Sequence, residues 1–461
     1  MRSMEQKISE LTSRTFGTWS RQKTWKSPIL ITDAEGVTIY DHKGTPYLDF
    51  SSQLICCNLG HKNKVVIEAI VKQAEKLQYV APAFINEASM AAVEALGTLL
   101  PEKLTKSFFS TSGTEANEAA IKMARMSKFP AYKIFSRYRS YHGATPGGAA
   151  LTGDPRRWPS EIARCTLDGI MFAPDCYCYR CPFDGKYPEC NIQCARYLDY
   201  MIKEEGNVAA IAVEPVVGTN GRLVPPPEYF PIVRRICDEN GVLLIADEVM
   251  SGWFRTGKPF AVNHWDIVPD IMTMAKGSTA AYTPVGITVA SSDVADFFED
   301  EMWCHGHTYA YHPLAVSAIP AAVSEYKRVM GSGLPQRASE YLKAALYQLG
   351  EKHECVGDVR GIGHFWALEI VKNRKTKEPF NVKKDKIDGT PLVTGQIAAE
   401  AMKNGLFMFT WIDSLIIAPP LIVEEADIDR AMEILDGALK IGDSQVESTG
   451  VPLSRSTEYG A

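Results

Sequence analysis

No stretch of this chain stays apolar for the roughly 18 residues that a membrane-spanning helix needs, so no such helix is expected. A basic surplus is missing too. The 461 residues carry a net charge of -6, with a pI near 5.9, whereas a nucleic-acid binder would show a basic footprint. Met1 to Lys26 lack the apolar core of a secretory leader and carry Arg2, Glu5, Lys7, Glu10, Arg14 and Arg21 instead. No Gly-x-Gly-x-x-Gly follows an apolar strand, and no Gly-Lys-Ser/Thr closes a phosphate loop. Both absences argue against a dinucleotide or Walker-type nucleotide site. Repeats and low-complexity linkers are also missing. The expectation is a cytoplasmic protein that binds neither nucleic acid nor membrane.

Cysteine is not scarce, but its 11 copies are odd in number and scattered, which does not read as a disulfide framework. Cys178, Cys181, Cys190 and Cys194 form C-x2-C-x8-C-x3-C. Thiolates at that spacing suit tetrahedral zinc. The alternative is a surface insertion with reduced or buried cysteines, and no metal is assigned.

What is present is enough apolar sequence, 46%, for a large core. The length suggests two or three substructures. Ile29–Asp33, Val37–Tyr40 and Tyr47–Phe50 read as short strands separated by turns, a small antiparallel meander. From about residue 105 to 300, buried-type strands alternate with helices, the rhythm of a mostly parallel sheet. Residues 321–440 mix helices and strands, and the polar tail after Ile441 is expected to be mobile. This predicts an α/β fold. A meander at 1–65 and a C-terminal part at 321–461 form a small α+β domain, and 66–320 form a large α/β/α domain.

Ligands of open α/β sheets bind at the carboxyl ends of the strands. Three successive apolar strands each end in an ionisable residue: Glu214, Asp247 and Lys276. Any one of them alone reads more readily as a strand-end salt bridge or turn residue; three in a row converge on one rim. A fourth element, Ser110 to Asn117, joins a strand to an amphipathic helix. Gly113 there permits close backbone approach. The helix start offers free N–H groups to an anion, with hydroxyls from Ser112 and Thr114, although a plain N-cap has the same pattern. Pyridoxal 5'-phosphate (PLP) fits all four. Its phosphate suits the helix start, a buried carboxylate keeps the pyridine nitrogen protonated, a lysine takes the aldehyde, and an aromatic such as Tyr141 stacks on the ring.

The motifs, in order, are Ser112-Gly-Thr-Glu-Ala-Asn-Glu118, Tyr141-His-Gly143, Glu214-Pro-Val216, Leu243-Leu-Ile-Ala-Asp-Glu-Val249, Arg255-Thr-Gly257, Met274-Ala-Lys-Gly277 and His305-Gly-His-Thr-Tyr309. Over about residues 25–440 the chain resembles the class III aminotransferases of PLP fold type I. That resemblance implies Lys276 as the Schiff-base lysine and Asp247 as the partner of the pyridine nitrogen. Val249 and Tyr141 would take the two ring faces. Ser112, Gly113, Thr114 and His142 would also bind the cofactor, and Glu214 would sit beside it. Thr308 would reach the phosphate of a neighbouring subunit in a homodimer or dimer of dimers, and Arg255 would support the wall.

The resemblance implies transfer of a terminal amino group from an ω-amino acid or amine to a 2-oxo acid, pyruvate or 2-oxoglutarate, by a ping-pong cycle. Aminomutase, epimerase and decarboxylase chemistry are the alternatives on the same fold. One departure stands out. Phe407 to Leu421 lacks the arginine that many members carry before Pro-Pro-Leu, and Phe409 and Trp411 are present instead. The carboxylate partner must come from elsewhere, with Arg164 or backbone groups as candidates. Two further segments, Tyr177 to Cys190 and Ser51 to His61, resemble taurine–2-oxoglutarate-type enzymes. Taurine or β-alanine is thus the leading donor, with Leu54, Ile55 and Trp411 in the substrate path.

Overall fold

Uninterrupted apolar strands need cover on both faces, and in the computed structural model, which describes residues 3–457, they have it. Strands are numbered in chain order. β1 (Ile31–Glu35), β2 (Thr38–Asp41) and β3 (Pro46–Asp49) form the meander. The next seven build one sheet: β4 (Leu104–Ser110), β5 (Lys133–Arg137), β6 (Ile170–Ala173), β7 (Val208–Val213), β8 (Leu243–Asp247), β9 (Ile271–Met274) and β10 (Gly286–Ser291). Their order is β4-β10-β9-β8-β7-β5-β6. β10 runs antiparallel to both of its neighbours, and the pairings from β9 to β6 are parallel.

Side chains of this sheet alternate between two cores. Phe108, Ile134, Ala212 and Ile245 pack under helix Gly113–Ser127 on one face. Phe109, Phe135, Ile211 and Leu244 point the other way, into the larger core with helices Gln193–Glu205, Tyr229–Asn240 and Ala318–Gly331. Truncating one of these buried Ile or Leu side chains to Ala costs about 2–5 kcal/mol. The burial of both faces leaves the strand ends as the place where polar side chains can meet.

β11 (Val356–Ile362), β12 (Phe365–Asn373), β13 (Glu378–Pro379), β14 (Leu406–Phe407), β15 (Phe409–Trp411) and β16 (Ser414–Ile417) complete the strands. β11-β12-β16-β15 form a sheet with β13 on the side of β12. β14 leaves it and pairs in parallel with β3, Leu406 opposite Leu48. Leu48 and Phe50 share a core with Leu342, Leu368, Leu406 and Leu435, which ties the meander to the C-terminal third.

The tail after Ile441 corrects the expectation of mobility through residue 457. Helix Glu425–Asp443 runs past Ile441. The Val359 N–H then donates to the Ser454 carbonyl at 3.0 Å, and Ser456 N–H donates to Asp358 Oδ1 at 3.0 Å. Asp358 is fully buried and needs such donors, so a polar composition here marks docking. Among the described residues no helix is long and apolar enough to cross a membrane.

Candidate active site

The carboxyl ends of β7, β8 and β9 carry Glu214, Asp247 and Lys276 to one rim. Asp247 is the most tightly held. Its Oδ2 accepts from Asn117 Nδ2 at 2.9 Å and lies 2.6 Å from His142 Nδ1. Its Oδ1 accepts from the Val249 N–H at 2.9 Å. Asn117 is itself fixed, donating to the His142 carbonyl at 2.7 Å and accepting from Thr273 Oγ1 at 2.7 Å. The carboxylate therefore has one orientation, and Oδ1 keeps acceptor capacity for a further donor. His142 Nε2 is buried without a partner among the described residues.

Glu214 joins the same cluster through backbone. Its Oε1 accepts from the Tyr141 N–H at 3.0 Å and its Oε2 from the Gly218 N–H at 2.7 Å. Burial raises the Glu214 pKa, and the nearby Asp247 charge adds to the shift.

Helix Gly113–Ser127 starts beside them. Ser112 caps it, its hydroxyl accepting from the Glu115 N–H at 3.3 Å. The first-turn N–H groups of Gly113 and Thr114 have no helical partner by position. Gly113 is glycine because Val249 presses on it. A Cβ there would sit 2.9 Å from Val249 Cγ1 and 3.4 Å from the Ala275 Cβ, next to Lys276. Gly143 closes the other side, with φ +141 and an added Cβ only 2.0 Å from Thr114 Oγ1. Thr114 Oγ1 in turn meets Thr145 Oγ1 at 2.7 Å. An anion cradle, an acceptor-bearing carboxylate and an amine thus surround one point, the donor set that PLP requires.

Lys276 stands at φ +44, a left-handed conformation that costs a non-glycine residue of the order of 1–3 kcal/mol. Loss of hydration pushes its pKa down from the usual 10.5 to about 8, with the Arg222 cation contributing. Arg222 is fully buried, and its Nε and Nη2 have no partner among the described residues. Cys56 also feels Lys276. The hydrogen bond from Cys57 and then the Lys276 charge lower its thiol pKa.

Tyr141 carries the site outward. Its ring lies edge-on to Trp19, with centroids 5.9 Å apart, and the Arg156 guanidinium carbon sits 3.6 Å from its centroid. Arg156 is also 4.3 Å from the Trp411 centroid, so it is clamped between two aromatic faces. Asp154 holds it from behind, accepting from Arg156 Nε at 3.0 Å on each oxygen. Asn220 donates to Asp154 at 3.1 Å and accepts from Trp411 Nε1 at 2.9 Å. Beside this cluster opens a cavity of about 750 Å3. Arg21, Lys23, Arg156, Arg157 and Lys386 line it, and its described lining contains no Asp or Glu.

A family model, Aminotransferase class-III, matches residues 20–439. The chain belongs to the class III aminotransferases. Class III aminotransferases use PLP, and the geometry above is the candidate site for it in this class III aminotransferase. The solved taurine:2-oxoglutarate aminotransferase of Bifidobacterium kashiwanohense, in complex with PLP and glutamate, superposes with a TM-score of 0.90 at 35% identity, covering 97% of this chain and 100% of that one. The leucine/methionine racemase of Thermococcus litoralis is 32% identical over 444 residues, 94% of this chain and 95% of its own. The taurine–pyruvate aminotransferase of Rhodobacter capsulatus is 33% identical over 431 residues, 90% of this chain and 92% of its own.

The structure of this aminotransferase brings together Ser112, Gly113, Thr114, Tyr141, His142, Glu214, Asp247, Val249 and Lys276. Arg255 braces the wall. It donates to Ser52 Oγ, Asn58 Oδ1 and the His364 and Pro419 carbonyls at 2.5–3.1 Å. Ile55 is buried in the main core, whereas Leu54 is exposed. Thr308 is exposed within one chain, and its carbonyl accepts from Tyr79 Oη at 2.9 Å. Arg164 is exposed and does not line the cavity; Arg156 does. Asn117 lay inside a quoted motif, one turn beyond Gly113. Arg156, Asp154 and Trp19 had no sequence signal, because only the fold brings them to Tyr141. Cys178, Cys181, Cys190 and Cys194 line one small cavity. Among the described residues no group of three or more His, Cys, Asp or Glu is placed to hold a metal ion.

Proposed function

We propose that this enzyme moves the amino group of an ω-amino acid whose far end is anionic, taurine or β-alanine, to a 2-oxo acid in a ping-pong cycle. The observation that carries the reading is Arg156, stacked on Tyr141 at the edge of the Asp247–Lys276 cluster and facing a cavity without carboxylates. A donor held by its sulfonate or carboxylate at Arg156 points its remote amine back toward Lys276. That arrangement favours an amine separated from the acid by a short chain. Trp19 and Trp411 narrow the approach on either side of Arg156.

PLP supplies the carbonyl that takes up the amine and the ring that accepts electron density. Asp247 would hold its charge at the ring nitrogen, and Gly113, Thr114 and Ser112 would receive the phosphate. Lys276, its pKa pushed down to about 8, would hold the aldehyde and, once released as a neutral amine, would take up the proton of the donor carbon. Thr308, exposed in one chain, fits a role at the phosphate of a second subunit in a homodimer.

The test is a donor panel of taurine, β-alanine, 4-aminobutyrate and putrescine, each with 2-oxoglutarate and pyruvate. Taurine or β-alanine should outrun putrescine, and Arg156→Met should raise their KM by at least about tenfold, the loss of one charge-assisted contact. A preference for putrescine, or an Arg156→Met enzyme with unchanged KM, overturns the assignment. The racemase from Thermococcus litoralis favours a second reading, epimerisation on the same site. Conversion of L-leucine or L-methionine to the racemate without any 2-oxo acid would replace the first reading with that one.

A further inference from the structure

The cavity carries more positive charge than one acid group requires. Arg156 is assigned one anion in the reading above, and Arg21, Lys23, Arg157 and Lys386 line the same space. Lys386 lines the same space from helix Lys383–Asp388. Its ammonium lies 5.4 Å from the centroid of the Trp411 ring, the ring that Arg156 approaches at 4.3 Å.

The neighbours of Lys386 are otherwise engaged. Asp388 pairs with Lys384. Asp385 accepts from the Val382 N–H at 2.8 Å. Lys383 donates to the Tyr138 carbonyl at 3.0 Å. Loss of hydration and then the Arg156 charge lower the Lys386 pKa. The helix is held at the mouth by Arg21, which donates to the Ile387 carbonyl at 2.8 Å. Two cations therefore flank one aromatic ring in a cavity whose described lining contains no Asp or Glu. Nothing in the transfer of a monoacid calls for the second.

We infer that Lys386 binds the distal carboxylate of the amino acceptor and so selects a dicarboxylic 2-oxo acid over a monocarboxylic one. The assignment rests on the aminotransferase reading and deepens it. A five-carbon dicarboxylate bridges Arg156 and Lys386 across the Trp411 face. An acid of the same length with a methyl terminus reaches one cation and leaves the other hydrated. Lys386 is a specificity residue here and has no part in the proton transfers.

The experiment compares 2-oxoglutarate with 2-oxopentanoate, which differs only by that carboxylate, in the full-length holoenzyme. Glutarate and pentanoate binding is measured in parallel by calorimetry. The wild type should favour the diacid of each pair by at least about tenfold. Lys386→Met should bring both ratios near one, and Lys386→Arg should retain the preference. A wild type that does not discriminate, or a Lys386→Met protein that still does, overturns the assignment. If the wild type transfers no amino group at all, the function proposed above fails, and the glutarate–pentanoate pair still decides the role of Lys386.

Discussion

At the scale of single residues the site is organised around Asp247 and Lys276. Asp247 receives Asn117, His142 and Val249, so its carboxylate is positioned before any ligand arrives. Asp247→Asn keeps the shape but removes the charge and turns an acceptor into a donor against Asn117 or His142. The expected outcome is a protein that retains PLP while its half-reaction with donor slows on the order of 10^2-fold or more, the usual cost of losing a preorganised electrostatic partner. Stopped-flow absorbance of the cofactor reads this directly, and near wild-type rates would remove Asp247 from its role. Lys276→Ala should abolish the visible band of bound PLP; an unchanged spectrum would mean another residue holds it. The depressed Lys276 pKa has its own consequence. The neutral amine is the nucleophile, and it is populated above about pH 8 instead of above 10.5. Capture of PLP by the apo-protein should accelerate about tenfold per pH unit below 8 and level off above it. A rate still climbing at pH 10 would assign an ordinary lysine.

At the scale of elements, strand ends and one helix start bring the candidate residues together, and this convergence was largely legible. Apolar runs ending in Glu214, Asp247 and Lys276 are local signals, and so is Gly113 between a strand and an amphipathic helix. The antiparallel β10 and the docked tail were not, because pairing direction and docking depend on partners far along the chain: Ser110 for Gly286, and Asp358 for Ser456. The same limit explains the arginines. Arg164 and Arg156 lie in one segment with equal chemistry. Arg156 is turned inward by Asp154 two residues before it, whereas Arg164 follows helix Arg157–Ile162 at φ +51 and stays exposed. Trp411, which completes the clamp, belongs to β15, and no local pattern links it to Arg156. Gly143 tests whether the element ends form one cradle. A Cβ there meets Thr114 in a backbone conformation that side chains rarely adopt. Gly143→Ala should cost roughly 1–3 kcal/mol in fold stability and, beyond that, lower PLP affinity at least about tenfold, measured by equilibrium titration of the folded apo-protein. Loss of stability with unchanged PLP affinity would confine Gly143 to a structural part.

At the scale of the whole molecule the question is whether one chain suffices. Thr308 is implied by family resemblance to serve a phosphate, yet it is exposed on its own chain, with its carbonyl engaged by Tyr79. Several large apolar side chains are exposed as well, among them Phe84, Ile85, Met90, Met302 and Tyr309. A surface so supplied with apolar groups suits contact with a second copy, and the family resemblance implies that each Thr308 would then reach the other subunit's phosphate site. The two ideas make one sharp prediction. Thr308→Glu, which would bring a negative charge to a phosphate, should inactivate the enzyme, as should Lys276→Ala. In a mixed dimer the subunit with intact Lys276 receives its Thr308 from the Lys276→Ala partner, so one of the two sites is whole. Unfolding and refolding the two inactive variants together should therefore regain activity that neither shows when refolded alone. Thr308 acting within its own chain would leave every site of the mixture damaged, and no activity would return.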